Sequence, residues 1–238
     1  MTDHQIVPLI KTSKVAIFMQ LLMIPVTIVI VAIIGVPLDS VLEIYIDMEE
    51  NPLTGLLRDD LYNILMVSLY IFSFPGLFFI LRRHRFSLSF VAMILIFSGV
   101  IFALSSHSGF SLLHLSKQYW SATDEISRVN LLAAGETVIS QNMWNSSSGY
   151  FAGIFLQGGG ILISIAMIGS TDFSKLTIIS GVAANGLDLI QHLMHPFLPE
   201  VSQLFMYVMG PFYLIWFFML FKDLKHYIKI YNKENEVG

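Results

Sequence analysis

The chain has 238 residues, of which 55% are hydrophobic and only 13% charged; 13 Lys and Arg stand against 17 Asp and Glu, for a net charge of -4. That charged share is about half the usual one for a soluble domain, so most of the surface is built for lipid, and the lack of a basic surplus argues against a nucleic-acid partner. The absence of cysteine excludes disulfides, thiolate metal sites and thiol nucleophiles together.

A helix needs roughly 20 mostly apolar residues to cross about 30 Å of hydrocarbon. Six stretches meet that need, in chain order Val15–Val36, Leu61–Leu81, Phe86–Ser106, Gly149–Ser170, Leu176–His195 and Val201–Phe221. The first is too long for a signal-peptide core and has no A-x-A site, so it reads as a retained helix. Pro25, Pro75-Gly76 and Gly210-Pro211 fall inside these runs, which a membrane tolerates because neighbouring helices satisfy the freed backbone groups. The fold class is therefore all-α: a single membrane domain, a polytopic transmembrane bundle of six helices.

With the N-terminus inside, ten basic residues lie on the cytoplasmic side, among them the Arg82-Arg83-His84-Arg85 cluster. Only Arg58, Lys117 and Arg128 fall outside. The positive-inside rule then places both termini in the cytoplasm of a multi-pass plasma (inner) membrane protein. The longest non-spanning piece is the outer loop His107–Ser148. Ser121-Ala122-Thr123-Asp124 fits a capping box, and Ile126, Val129, Leu132, Ala133 and Val138 recur at near-helical spacing, so one amphipathic helix is expected there. The aromatic run Phe212, Tyr213, Trp216, Phe217, Phe218 and Phe221 is expected to anchor the last helix at the interface.

Polar groups inside a span are costly unless paired. In the fifth span Asn185, Asp188, His192 and His195 sit at i, i+3, i+7 and i+10, on one helix face that must turn inward. His107 and Gln157 fall at a similar depth, and His114 and Glu136 lie in the outer loop. Imidazole and carboxylate suit zinc or iron, so His107, His192, His195 and Asp188 form a candidate metal set, with zinc a candidate cofactor. Asn185, Glu136, His114 and Gln157 form a candidate ligand-binding or polar network. The alternative for Asp188 and His192 is an ordinary i, i+4 pair. Gly149, Gly153, Gly158, Gly159 and Gly160 crowd the fourth span, as a close helix–helix approach requires.

Leu131-Leu132-Ala133-Ala134-Gly135-Glu136, the glycine-rich span leading to Met167-Ile168-Gly169-Ser170, the turn Phe173-Ser174-Lys175, and Pro211 with Trp216 resemble in order and spacing a family of bacterial membrane proteins, DUF4386. The likeness covers roughly residues 118–225. It implies a six-helix integral membrane protein and brings no established activity, cofactor or catalytic residue. By composition alone, Asp188, His192, His195 and His107 also look like the zinc set of membrane hydrolases of the alkaline ceramidase and adiponectin-receptor type. Those have seven spans and a different histidine spacing.

The sequence thus leads to a bilayer-embedded protein that binds a lipid, a small molecule or a membrane partner at the outer side of the bundle, with homo-oligomerisation an open option. The alternatives are a metal-dependent intramembrane lipid hydrolase and a small proton-coupled carrier built around Asp188.

Overall fold

The computed structural model describes residues Asp3 to Glu236, Met143 excepted, and among them there is helix and no strand. The helices are α1 (Asp3–Ile34), α2 (Val41–Glu50), α3 (Pro52–Leu56), α4 (Tyr62–Ser105), α5 (Gly109–Ser121), α6 (Glu125–Ile139), α7 (Ser147–Ala166), α8 (Lys175–Met194) and α9 (Pro199–Glu236), with one wide turn at Leu57–Leu61 leading into α4. Among the described residues, four stretches are long and apolar enough to cross a membrane: Ile6–Ile34, Tyr62–Ser121, Ser147–Ala166 and Pro199–Lys233. Large apolar side chains such as Ile28, Ile33 and Tyr207 face outward from α1 and α9, the inverse of a soluble surface.

The helix α4 is two legs folded back on each other. Arg85 leaves helical geometry at φ -142°, ψ 54°. The rings of Phe78 and Phe90, which a straight helix would hold about 18 Å apart along its axis, lie 6.2 Å apart. Buried residues of both legs, such as Leu77, Leu81, Ala92 and Ile96, share one core with Ile163 of α7 and Trp216 of α9.

Proline inside α4 is absorbed by α1. A normal helix would pair the Gly76 N–H with the Phe72 carbonyl. Instead that N–H donates to Ser13 Oγ at 2.9 Å, and the Ser13 hydroxyl donates to the Phe72 carbonyl at 2.7 Å. A fully buried serine thus pairs with two backbone groups of α4 on either side of Pro75, in a bundle interior where such groups need partners.

At the end of the bundle where α1 stops and α7 begins, α2, α3, α5 and α6 form a cap with its own small core of Val41, Ile44, Tyr45, Met48, Leu56 and Leu112. Tyr45 is its hub. Its hydroxyl donates to the Leu131 carbonyl of α6 at 3.0 Å. Its carbonyl accepts from Ser116 Oγ and Trp120 Nε1 of α5. Burial, with the Glu136 carboxylate near it, pushes the phenol up to about 12. Arg58 ties the cap to the bundle through Asp47 at 3.1 Å and the Ile34 carbonyl at 2.6 Å.

Four expectations are corrected. The loop 107–148 holds two helices, not one. Ser121 closes α5, and Asp124 caps α6 by accepting from the Ser127 N–H at 2.8 Å. Nor is α6 amphipathic in the way its spacing suggested: Ile126 and Val129 are exposed, and it meets α2 through Gly135, where any Cβ would strike the Tyr45 hydroxyl. The aromatic run of α9 is not an interfacial belt, because Trp216 and Phe217 are fully buried against α4. The fourth apolar run ends as helix at Ala166 rather than Ser170, because Gly169 takes a positive φ of 86° that terminates it.

Candidate functional site

The inward face of α8 carries Thr177, Ser180, Asn185, Asp188, Gln191 and His192, all buried. Room for them comes from α7. A Cβ on Gly160 would collide with the Asn185 amide, and one on Gly153 with the His192 ring. These two glycines, seven residues apart, lie on one helix face. Gly159 points the other way, against Ile96 and the Ala92 carbonyl of α4. Gly158 meets only Leu95, at 3.9 Å. The glycine cluster therefore lets α7 press on α4 with one side while it makes space for polar side chains of α8 with the other.

Asp188 is the centre of that interior, 6% exposed. Its Oδ1 lies 3.0 Å from His192 Nδ1, which also reaches the Asp188 carbonyl at 3.1 Å. This is the i, i+4 pair. Its Oδ2 lies 2.8 Å from the Tyr213 hydroxyl of α9. Tyr213 is also 2.7 Å from Gln157 Oε1 and 3.4 Å from Asn185 Oδ1. One phenolic proton serves one acceptor, and the carboxylate is the stronger one. The Gln157 amide oxygen is then a second, competing acceptor for that proton. Asn185 donates to the Gly181 carbonyl at 2.8 Å. The carboxylate thus holds α7, α8 and α9 in a single network, and His192 Nε2 is buried with no hydrogen-bond partner.

Over this network lies Trp144, its ring 5.0 Å from that of His192 and 4.5 Å from that of His195. Beyond it opens a cavity of about 480 Å³ lined by Trp144, Asn145, Ser146, Tyr150, Phe151 and His195 among others. His195 Nδ1 pairs with Ser202 Oγ at 3.0 Å.

His107 stands apart. The fold-back at Arg85 brings the ends of the two legs of α4 together, because Asp60 lies 25 residues before it and His107 lies 22 residues after it. His107 Nδ1 pairs with Asp60 Oδ1, and Asp60 Oδ2 accepts the Gly109 N–H at 2.6 Å. Zinc needs three or four donors around one point. Among the described residues, no three His, Asp or Glu side chains share such a point, so the candidate set does not fit a zinc centre in this arrangement.

Of the expected polar network, Asn185 and Gln157 are in it. His114 is exposed and pairs with Gln118 at 3.1 Å. Glu136 is exposed on α6, near Tyr45. Sequence reasoning missed Tyr213, which it filed with the aromatic anchors, and Trp144 and Asp60, which it did not weigh. Only Tyr213 had a usable signal, since a phenol seldom sits in a buried aromatic cluster without a polar partner. Comparisons with protein families, curated proteins and solved structures return no match to this chain.

Proposed function

We propose that this is a six-crossing, multi-pass protein of a bacterial plasma membrane, with both termini cytoplasmic, that takes a lipid or other small amphiphile into the cavity beside Trp144 and His195. Support for six crossings comes from the two legs of α4, each long enough to span, and from α8, whose 20 residues measure about 30 Å and turn their polar groups inward. The basic residues of the loops supply the orientation. The resemblance to DUF4386 proteins belongs to the same proposal.

The observation that carries the binding reading is the cavity itself. It is open, about 480 Å³ in size, and mixes aromatic rings with Asn145, Ser146 and His195. Such a lining suits a ligand with an apolar body and a polar end. The buried Asp188–His192 pair directly beneath Trp144 is the polar group that an entering headgroup would approach.

Fluorescence tests it. The chain has three tryptophans, Trp120, Trp144 and Trp216, so a Trp120→Phe protein in nanodiscs reports on Trp144 against the fully buried Trp216. A short-chain phospholipid brominated on its acyl chains should quench the Trp144 emission saturably, and His195→Ala should weaken that binding. Quenching that rises in simple proportion to brominated lipid, with or without His195, would refute the reading.

A second reading has its own observation. A carboxylate bridging three helices in the bundle interior is the usual anchor of a proton-coupled carrier. Proton-coupled solute uptake abolished by Asp188→Asn would favour it.

A further inference from the structure

A second opening lies on the outside of the bundle, where α1 runs beside the first leg of α4. It is an open groove of about 470 Å³. Its walls are Val15, Ala16 and Met19 of α1 and Leu69 and Phe72 of α4. Val15, Met19 and Phe72 are exposed there, and Ala16 is small enough to let a guest lie close to the α1 backbone. Lys11 and Thr12 close the groove at one end. That end points away from the cap, so the groove is remote from the Trp144 cavity and its reading does not depend on that cavity.

Two features identify what the groove holds. The first is its direction. Lys14 is the last charged residue before Asp39, so Lys11 and Lys14 mark the depth at which lipid headgroups begin, and Met19 lies within hydrocarbon. From Lys11 to Met19 is eight residues, about 12 Å of helix, close to the hydrocarbon thickness of one leaflet, about 15 Å. The groove thus runs as an acyl chain runs, from headgroup toward midplane. The second feature is an unspent charge. Thr12 gives its hydroxyl proton to the Pro8 carbonyl at 3.1 Å. Lys11 is exposed, and none of the ion pairs among the described residues uses it. Its stem can lie along apolar surface while the ammonium reaches the interface. An apolar trough that ends on an unpaired cation matches a lipid whose headgroup is net negative. A second copy of the chain does not match. A twofold axis along the membrane normal would set the two Lys11 ammoniums against each other, and no acidic side chain lines the groove.

We infer that the groove between α1 and α4 is a binding site for one anionic phospholipid, its phosphate on the Lys11 ammonium and an acyl chain against Val15, Ala16, Met19, Leu69 and Phe72. A zwitterionic phospholipid fits the same walls but carries its own cation beside the phosphate, so it gains less from Lys11. One basic residue facing an anionic lipid contributes about a fivefold preference. The site requires the chain to be embedded in a bilayer and is indifferent to which face is cytoplasmic.

The test uses the full-length protein in phosphatidylcholine nanodiscs. The chain has no cysteine, so one introduced thiol can carry a bimane fluorophore. Phe72→Cys places it in the groove wall, and Ile101→Cys places it outside the groove, at an exposed position on the second leg of α4. Phosphatidylglycerol or phosphatidylcholine bearing a nitroxide on its acyl chain is then added at rising fraction. In the groove, quenching by phosphatidylglycerol should rise steeply and level off, and phosphatidylcholine should need about fivefold more for the same effect. At Ile101→Cys the two lipids should quench nearly alike. Lys11→Gln should bring the groove down to the preference seen at Ile101→Cys, and Lys11→Arg should keep it. Equal quenching by both lipids in the groove, the same preference at both positions, or a preference that survives Lys11→Gln would each overturn the inference. So would a groove fluorophore that neither lipid quenches, which would mean that protein covers this face. Lys11 is exposed, and the two-lipid comparison with Lys11 in place decides the matter even if a variant at that position fails to fold.

Discussion

Tyr213 of α9 donates its phenolic proton to Asp188 of α8 across 2.8 Å, which joins two helices by a charge-assisted bond inside the bundle. Interhelical hydrogen bonds within membranes average about 0.6 kcal/mol, with a maximum near 1.7. This one belongs near the top of that range because its acceptor is a carboxylate. Tyr213→Phe should destabilise the protein by about 1–2 kcal/mol in reversible unfolding from mixed micelles. A double-mutant cycle with Asp188→Ala should show positive coupling. Additive losses would mean that the two side chains act independently.

The glycines of α7 should separate sharply on mutation. Gly153→Ala and Gly160→Ala drive a methyl group into the His192 ring and the Asn185 amide, and overpacking of that kind costs about 1–3 kcal/mol. Gly158→Ala meets only Leu95 at 3.9 Å and relieves a helix-interior glycine, for a gain of up to about 1 kcal/mol. Thermal unfolding in one detergent should therefore rank Gly158→Ala at or above the parent protein and the other two below it.

What the sequence could and could not reveal follows from how local each signal is. The stripe Asn185, Asp188, His192 and His195 is legible because helical spacing alone puts those residues on one face. The close approach at Gly153 and Gly160 is legible because a glycine cluster is costly in a helix. Asp60 and His107, by contrast, meet only because α4 folds back at Arg85 with legs of nearly equal length, and no pattern around either residue encodes that. Tyr213 is hidden because an aromatic run in a span looks the same whether it faces lipid or core. The cap helix α2 is hidden because Val41, Ile44, Tyr45 and Met48 are interleaved with Glu43, Asp47, Glu49 and Glu50, and acidic charge in a short loop outweighs its apolar face.

Ser13 should matter more than its size suggests. Its hydroxyl both accepts from the Gly76 N–H and donates to the Phe72 carbonyl, so Ser13→Ala strands two backbone groups where no water reaches them. Each stranded group costs about 1–3 kcal/mol, and the loss should exceed that of Thr12→Ala, whose exposed hydroxyl bonds only the Pro8 carbonyl within α1. Comparable melting temperatures for the two variants would count against the serine bridge.

Acid should loosen α6 from its N-terminal end. Hydrogen bonds from the Ser127 hydroxyl and N–H hold the Asp124 carboxyl below its ordinary value. A carboxyl lowered in the folded state contributes stability that is full above its unfolded value and is lost as the pH falls through the folded one. Amide protection at Ser127 and Arg128, corrected for intrinsic exchange, should drop on acidification in the parent protein. In Asp124→Asn, which keeps a capping oxygen without the titration, protection should be independent of pH over the same window.

The absence of cysteine makes topology directly measurable, since any introduced thiol is the only one. Arg85 at the fold-back of α4, Asn130 on α6 and Lys229 near the end of α9 are all exposed. With six crossings and cytoplasmic termini, a membrane-impermeant maleimide added to intact cells should label Asn130→Cys and should leave Arg85→Cys and Lys229→Cys unmodified until the cells are opened. Labelling of Arg85→Cys in intact cells would mean that the two legs of α4 enter from the other face. Because Arg85 and Asn130 lie at opposite ends of the same bundle, that result would also invert the side from which the Trp144 cavity is reached.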